Sequence, residues 1–200
     1  MTAANEPPVP AGAEDLDRQE FRVLIRILHD DADPAIRRYA AYLLGRLKMP
    51  EVIMPLIAAL GDNDKSVREQ AMLALVATGK SAVGPLADAM KDPRWETRYR
   101  AAEALGKLAD EQAIQPLIRG LRDHRDHVRY MAAKGLTDAR NSDAIEPLII
   151  LLRDENPFVR TMTTKALAAI GGQKALDAIR AALADEKNDG VRDAMNTALH

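Results

Sequence analysis

The chain has 200 residues, 47% hydrophobic and 29% charged, with a formal net charge of −2. That length can bury a sizeable core, and the near-neutral balance argues against a nucleic-acid-binding domain. The absence of cysteine excludes disulfides, thiolate metal sites and a cysteine nucleophile; no apolar run approaches the ~18–20 residues of a membrane span, and a cytoplasmic protein is expected.

Residues 1–16, rich in Pro, Ala, Gly and acid, predict a disordered tail. They lack the basic-then-apolar order of a signal peptide. A single domain is expected over 17–200. Its first helix, near 18–29, carries Phe21, Val23, Leu24 and Leu28. A second, near 34–48, opens on Ile36-Arg37 and continues with Ala40, Ala41 and Leu44. A third, near 51–60, has Pro in its opening turn (Ile53-Met54-Pro55-Leu56), where amides lack helical partners anyway.

These last two kinds then alternate. Pro-type helices are predicted near 82–91 (Val83-Gly84-Pro85-Leu86), 112–122 (Ile114-Gln115-Pro116-Leu117) and 143–153 (Ile145-Glu146-Pro147-Leu148). One near 174–184 keeps the apolar pattern without the Pro. Arg-type helices are predicted near 65–78, 94–108, 126–139, 157–170 and 189–199. Their arginines, Arg37, Arg68, Arg98, Arg129, Arg160 and Arg192, recur at steps of 31, 30, 31, 31 and 32 residues. Three and four residues after each of the first five lie mostly small side chains, and seven after every one lies Leu. That is one apolar stripe at helical spacing, with small residues that let a neighbouring helix approach. The fold class is therefore all-α: a solenoid of about six stacked antiparallel helix pairs.

The runs DADPAIRRYAAYLLGRL, DPRWETRYRAAEALGKLADEQAIQPLIRGL and DENPFVRTMTTKALAAIGG resemble short HEAT-like repeats of the type named for bilin-lyase proteins, over roughly residues 20–200. Tetratricopeptide and ankyrin signatures are absent. The resemblance implies a right-handed superhelix with Arg-type helices lining a concave surface. It implies no single function, since such arrays include lyase subunits and scaffolds.

On a helical wheel each repeated Arg points towards neighbouring repeats, and a buried guanidinium needs a partner. Six residues before it stands an acid: Asp31, Asp62, Asp92, Asp123, Asp154 and Glu186. A structural ladder of acid–Arg contacts is expected, joining Asp31, Arg37, Asp62, Arg68, Asp92, Arg98, Asp123, Arg129, Asp154 and Arg160. Capping of helix N-termini by the acids is compatible with it.

The wheel face opposite the core takes positions −2, +1, +2, +5 and +9 from each Arg. Over five copies it holds five of the chain's seven aromatic residues in 25 positions, where chance places about one. The partner-binding residues expected there are Tyr39, Tyr42, Arg46, Tyr99, Arg100, His127, Tyr130, Met131, Lys134, Phe158 and Met162, with Trp95 beside them. Exposed Tyr, Met and Arg anchor protein interfaces; the competing reading packs the aromatics between adjacent Arg-type helices. The mixed, slightly basic charge of the whole stripe suits a protein or peptide with some acidic character.

No catalytic constellation stands out. Asp123-His124-Arg125-Asp126-His127 offers two histidines at helical spacing, without an obvious third ligand, and reads better as a solvated turn. The chain has no His-Glu dipeptide, against a di-iron hydroxylase, and no phosphate loop or nucleophile elbow. The expected function is a non-catalytic, monomeric scaffold for a protein or peptide, with no cofactor and no metal. A bilin-lyase-like subunit and, less favoured, a nucleic-acid binder are the alternatives.

Overall fold

The computed structural model describes residues 18–47 and 49–200; the tail expected over 1–16 lies outside them. The fold is an all-α solenoid of helix pairs, and the chain divides into two compact units between Thr78 and Gly79. The first unit holds α1 (Arg18–Asp30), α2 (Pro34–Leu47), α3 (Ile53–Ala59) and α4 (Lys65–Thr78). The second holds α5 (Val83–Ala89), α6 (Trp95–Leu108), α7 (Glu111–Gly120), α8 (Asp126–Ala139), α9 (Ile145–Leu151), α10 (Pro157–Ile170), α11 (Gln173–Asp185) and α12 (Asp189–Ala198). Within each unit the Arg-type helices pack side by side: α2 on α4, and α6, α8, α10 and α12 in a row.

Sequence explains the alternation. The Pro-type helices α3, α5 and α9 are each entered through a short 3-10 segment, with Pro55, Pro85 and Pro147 in the first α-turn, where a missing N–H costs nothing. Pro116 differs from the expectation: it lies inside α7. Ala109 takes a left-handed φ of 50° and Asp110 caps the helix by accepting from Gln112 N at 2.9 Å. The matching turn before α9 has the same form, with Arg140 at φ 46° and Asn141 accepting from Asp143 N at 2.8 Å, but it leads into a 3-10 segment. α7 is α-helical from Glu111, which leaves the proline deeper in it.

The core is aliphatic. Leu44, Leu75, Leu105, Leu136 and Leu167 are fully buried, as are the small residues Ala41, Ala71, Ala101, Ala102, Ala132 and Ala133. The closest approach falls at positions the stripe did not single out, six and eight residues after the Arg. A Cβ on Gly106 would lie 2.7 Å from Gly135 Cα, and one on Gly45 would lie 2.6 Å from Ala74 Cβ. Adjacent Arg-type helices therefore touch nearly backbone to backbone.

The repeated arginines fasten the inter-helix turns. Arg37 Nε and NH2 donate to the two carboxylate oxygens of Asp62, both at 2.8 Å. The same fork recurs from Arg98 to Asp123 at 2.6 and 2.8 Å, Arg129 to Asp154 at 2.6 and 2.9 Å, and Arg160 to Glu186 at 2.7 and 2.8 Å. Each arginine's NH1 donates back to the carbonyl six residues earlier, at 2.7–2.9 Å from Arg37, Arg98, Arg129 and Arg160 to Asp31, Asp92, Asp123 and Asp154. The acid also caps: Asp123 Oδ1 accepts from Arg125 N and Asp154 Oδ1 from Asn156 N, both at 2.9 Å. Arg68 and Arg192 hold the carbonyls of Asp62 and Glu186 at 2.6 and 2.9 Å. Asp31 caps Asp33 N at 2.9 Å, and Asp92 takes Arg94 as a 3.0 Å partner.

Burial pushes the Asp123 carboxyl up, and the Arg98 guanidinium and Arg125 amide outweigh it and hold the group below the usual carboxylate range. The side chains of this pair are 13% and 11% exposed, so losing one partner strands a charge. Arg98→Ala is expected to cost about 3 kcal/mol, read as a lowered melting temperature. Because the folded carboxyl is depressed, its stabilisation is present at neutral pH and is lost as pH falls through the folded value. The gap between wild type and Arg98→Ala should narrow below about pH 4; a gap independent of pH would contradict this pairing. Gly106→Ala should cost about 1–3 kcal/mol by forcing α6 off α8. Gly84→Ala, with open space around its Cβ and larger residues at the matching sites Met54, Gln115 and Glu146, should stay within about 0.5 kcal/mol of wild type.

Candidate functional site

Three consecutive Arg-type helices of the second unit each begin with an aromatic or imidazole residue near the N-terminus. Trp95 opens α6, His127 lies in the first turn of α8, and Phe158 in that of α10. The rungs hold these three turns in register, so side chains at equivalent positions come together. Trp95 packs against His127 with ring centroids 5.2 Å apart and against Tyr99 edge-on at 6.4 Å. Tyr99, His127, Tyr130 and Phe158 line a trough of about 250 Å³, together with Asp126, Asn156 and Val159. Phe158 is 74% exposed, an unusual position for a large apolar side chain among solvated charges.

Asp126 is the trough's carboxylate. Its Oδ1 accepts from His127 N and lies 2.7 Å from His127 Nδ1, and its Oδ2 accepts from the Asn156 amide. Burial raises this carboxyl, and the Asn156 and His127 hydrogen bonds outweigh that and leave it below its ordinary range. It is ionised at neutral pH. Asn156 meanwhile caps α10, accepting from Phe158 N at 2.8 Å, so one amide fixes both the exposed phenyl ring and the carboxylate.

The stripe residues fall into three groups. Tyr99, His127, Tyr130 and Phe158 line the trough, with Trp95 behind His127. Lys134 is exposed, and Met162 is half-buried on α10. Met131 and Arg100 are 4% and 8% exposed, and this corrects the expectation that their wheel position faces solvent. They sit two residues after the repeated Arg, in the seam between adjacent Arg-type helices, which approach too closely to leave that seam open. Arg100 donates to Glu103 at 2.6 Å and lies over the Tyr99 ring at 5.4 Å. In the first unit, Tyr39 and Tyr42 stack with centroids 6.2 Å apart, and Arg46 is exposed.

The sequence reading places Asp126 in a solvated turn and does not single out Asn156, because both lie at the edge of their helices, outside the wheel positions of the stripe. The signal available was their spacing: they stand 30 residues apart, one repeat, at the two acceptor-rich turns of neighbouring copies. The acid–His turn 123–127 is divided between tasks, Asp123 holding Arg98 and Asp126 holding Asn156. Among the described residues no group of three or more His, Cys, Asp or Glu is placed to hold a metal ion. None of the described helices is long and apolar enough to cross a membrane.

The profile of HEAT repeats matches residues 21–86, 77–129 and 121–200. The chain belongs to the HEAT-repeat family. No curated protein sequence matches it significantly. Among solved structures, this HEAT-repeat chain is similar to one in the complex of CpcE and CpcF of phycocyanin lyase from Nostoc sp. PCC7120. The likeness has a TM-score of 0.69 and 26% identity, over 75% of this chain and 99% of that one. Human deoxyhypusine hydroxylase is similar at a TM-score of 0.53 and 27% identity, over 94% of this chain and 75% of that one. A designed armadillo repeat protein in complex with the peptide (KR)4 shares the fold alone, at a TM-score of 0.56 and 20% identity, over 90% of this chain and all of that one.

Asn156 is expected to be a hinge pin of the trough. Asn156→Ala removes the α10 cap and the amide on Asp126, and should cost about 1 kcal/mol of stability. In the variant, changed fluorescence of Trp95, the chain's single tryptophan, would report the released Asp126–His127 pair; an unchanged spectrum would mean the amide does not order this turn.

Proposed function

We propose that this protein is a non-catalytic scaffold that binds a protein or peptide on the Arg-type helix face of its second unit. The observation that carries the reading is the trough between α6, α8 and α10, open to solvent and walled by Tyr99, Tyr130 and Phe158. Aromatic rings bury much area for little lost side-chain freedom, which is why they dominate interface hot spots. The rungs supply a rigid base, so ordering the site on binding costs little. Asp126, His127 and Asn156 hold one another in place, an arrangement suited to recognition rather than to proton transfer.

A second reading is a subunit of a bilin lyase. It is favoured by the likeness to the phycocyanin lyase complex, which extends over 99% of that chain at 26% identity. That neighbour was solved as a complex of two proteins, which also fits the scaffold reading.

Crosslinking pull-down from the native host, run beside the Tyr99→Ala/Tyr130→Ala variant, separates these possibilities. The scaffold reading expects a partner that the variant loses while its melting temperature and helical signal stay close to wild type. A partner kept by both proteins would remove the trough from the interface. A bilin whose absorption band shifts on adding the protein would favour the lyase reading.

A further inference from the structure

We propose that the trough formed by Tyr99, Asp126, His127, Tyr130, Asn156 and Phe158 takes a cationic side chain, of Arg or Lys, presented by the partner peptide or protein. The proposal rests on the scaffold reading and gives its partner a chemistry. The stripe as a whole carries several basic residues, but the trough itself has a different charge. Its lining contains one carboxylate and neither Lys nor Arg.

Three guests can be weighed. An anion would meet the ionised Asp126 and the electron-rich faces of the rings, both repulsive. An apolar side chain would fit the rings, but would strip water from Asp126 with nothing in return. A guanidinium or ammonium gains from both, by cation–π contact with the rings and by a charge-assisted bond to the carboxylate.

Asp126 retains capacity for that bond. An ionised carboxylate offers about four lone-pair sites. Here Oδ1 accepts from His127 N and pairs with His127 Nδ1, while Oδ2 accepts from the Asn156 amide. One site on Oδ2 is left. The side chain is 32% exposed, about two-thirds withdrawn from water, where such a bond is stronger than at the open surface.

The chain already shows that these rings accept a guanidinium. Arg100 lies 5.4 Å from the centre of the Tyr99 ring. Its charge is matched by Glu103 at 2.6 Å, so it does not make the trough positive. The rings of Tyr130 and Phe158 line the trough beyond it.

Trp95 provides the readout, because it is the chain's single tryptophan and packs against His127 at the trough wall. Short peptides alternating glycine with arginine, glutamate or serine would be titrated into the full-length protein, with Trp95 fluorescence as signal. A saturable change with the arginine peptide is expected, at least tenfold weaker with the serine peptide and absent with the glutamate peptide. Asp126→Asn and, separately, Phe158→Ala should each weaken the arginine peptide by at least tenfold. Phe158 is exposed enough that its loss leaves folding intact. Ile150→Ser, on exposed surface of α9, should leave binding unchanged. A glutamate or serine peptide that binds as well as the arginine peptide would overturn the proposal, as would no saturable response to any of them at millimolar concentration. If the Tyr99→Ala/Tyr130→Ala protein still loses its partner in the pull-down, the scaffold reading stands and only the cationic guest is rejected.

Discussion

One planar guanidinium, at Arg37, Arg98, Arg129 and Arg160, governs this structure. Its NH1 holds the carbonyl of its own turn, while Nε and NH2 hold the carboxylate of the next repeat's turn. That carboxylate in turn caps the backbone two residues on. Only arginine can do this, because its donors lie in a rigid fork that faces two acceptors at once. Lysine would keep the charge and lose the geometry. Burying such a pair is favourable only when nearly every donor and acceptor finds a partner, and here each rung comes close to that. The rungs also set the repeat length. Arg37, Arg98 and Arg129 reach an Asp 25 residues on, whereas Arg160 reaches Glu186, 26 residues on. The extra residue in the last turn comes with an acid one methylene longer, so the chain shift is absorbed in the side chain and the rung survives.

The rungs work together with absent side chains. A fork that binds two turns fixes how closely two helices run, and the helices between them need small residues to reach that distance. Gly106 faces Gly135, and Gly45 faces Ala74, close enough that a methyl group would collide. This close packing decides the fate of the stripe. On α6 and α8 position +2 is driven into the seam, which buries Arg100 and Met131, while Tyr39 at the same position of α2 stays exposed. Position −2 stays outside, which exposes Phe158. One helical wheel cannot separate these cases, because their difference comes from the neighbouring helix.

The same reasoning explains what the sequence made legible. Helix positions could be read because they are repeated: α4, α8 and α10 begin and end where the spacing of Arg, Ala and Leu predicts. Errors that would spoil a single helix cancel when several copies must agree. The deeper position of Pro116 was hidden because Asp110 and Asn141 cap matching turns in the same way, yet the stretch after Asp110 is α-helical and the one after Asn141 is 3-10. In the trough, Tyr99, His127, Tyr130 and Phe158 were visible as an excess of rings on one face. The pairing of Asp126 with Asn156 was not, since each takes this role only beside the other, one repeat away.

In a repeat protein the recurring residues build the stack, and they are necessarily silent about what it binds. Specific chemistry can enter only where copies differ. Here the differences gather in three consecutive turns: Trp95 in one, Asp126 and His127 in the next, Asn156 and Phe158 in the third. None of these positions is needed for the rungs, whose own carboxylates lie at Asp123 and Asp154. The stack therefore sets the distance between three turns without specifying their side chains. A trough made this way is preorganised by the invariant part of each repeat and given its character by the variable part. That separation lets its charge depart from that of the surrounding stripe, with a lone ionised carboxylate among aromatic rings.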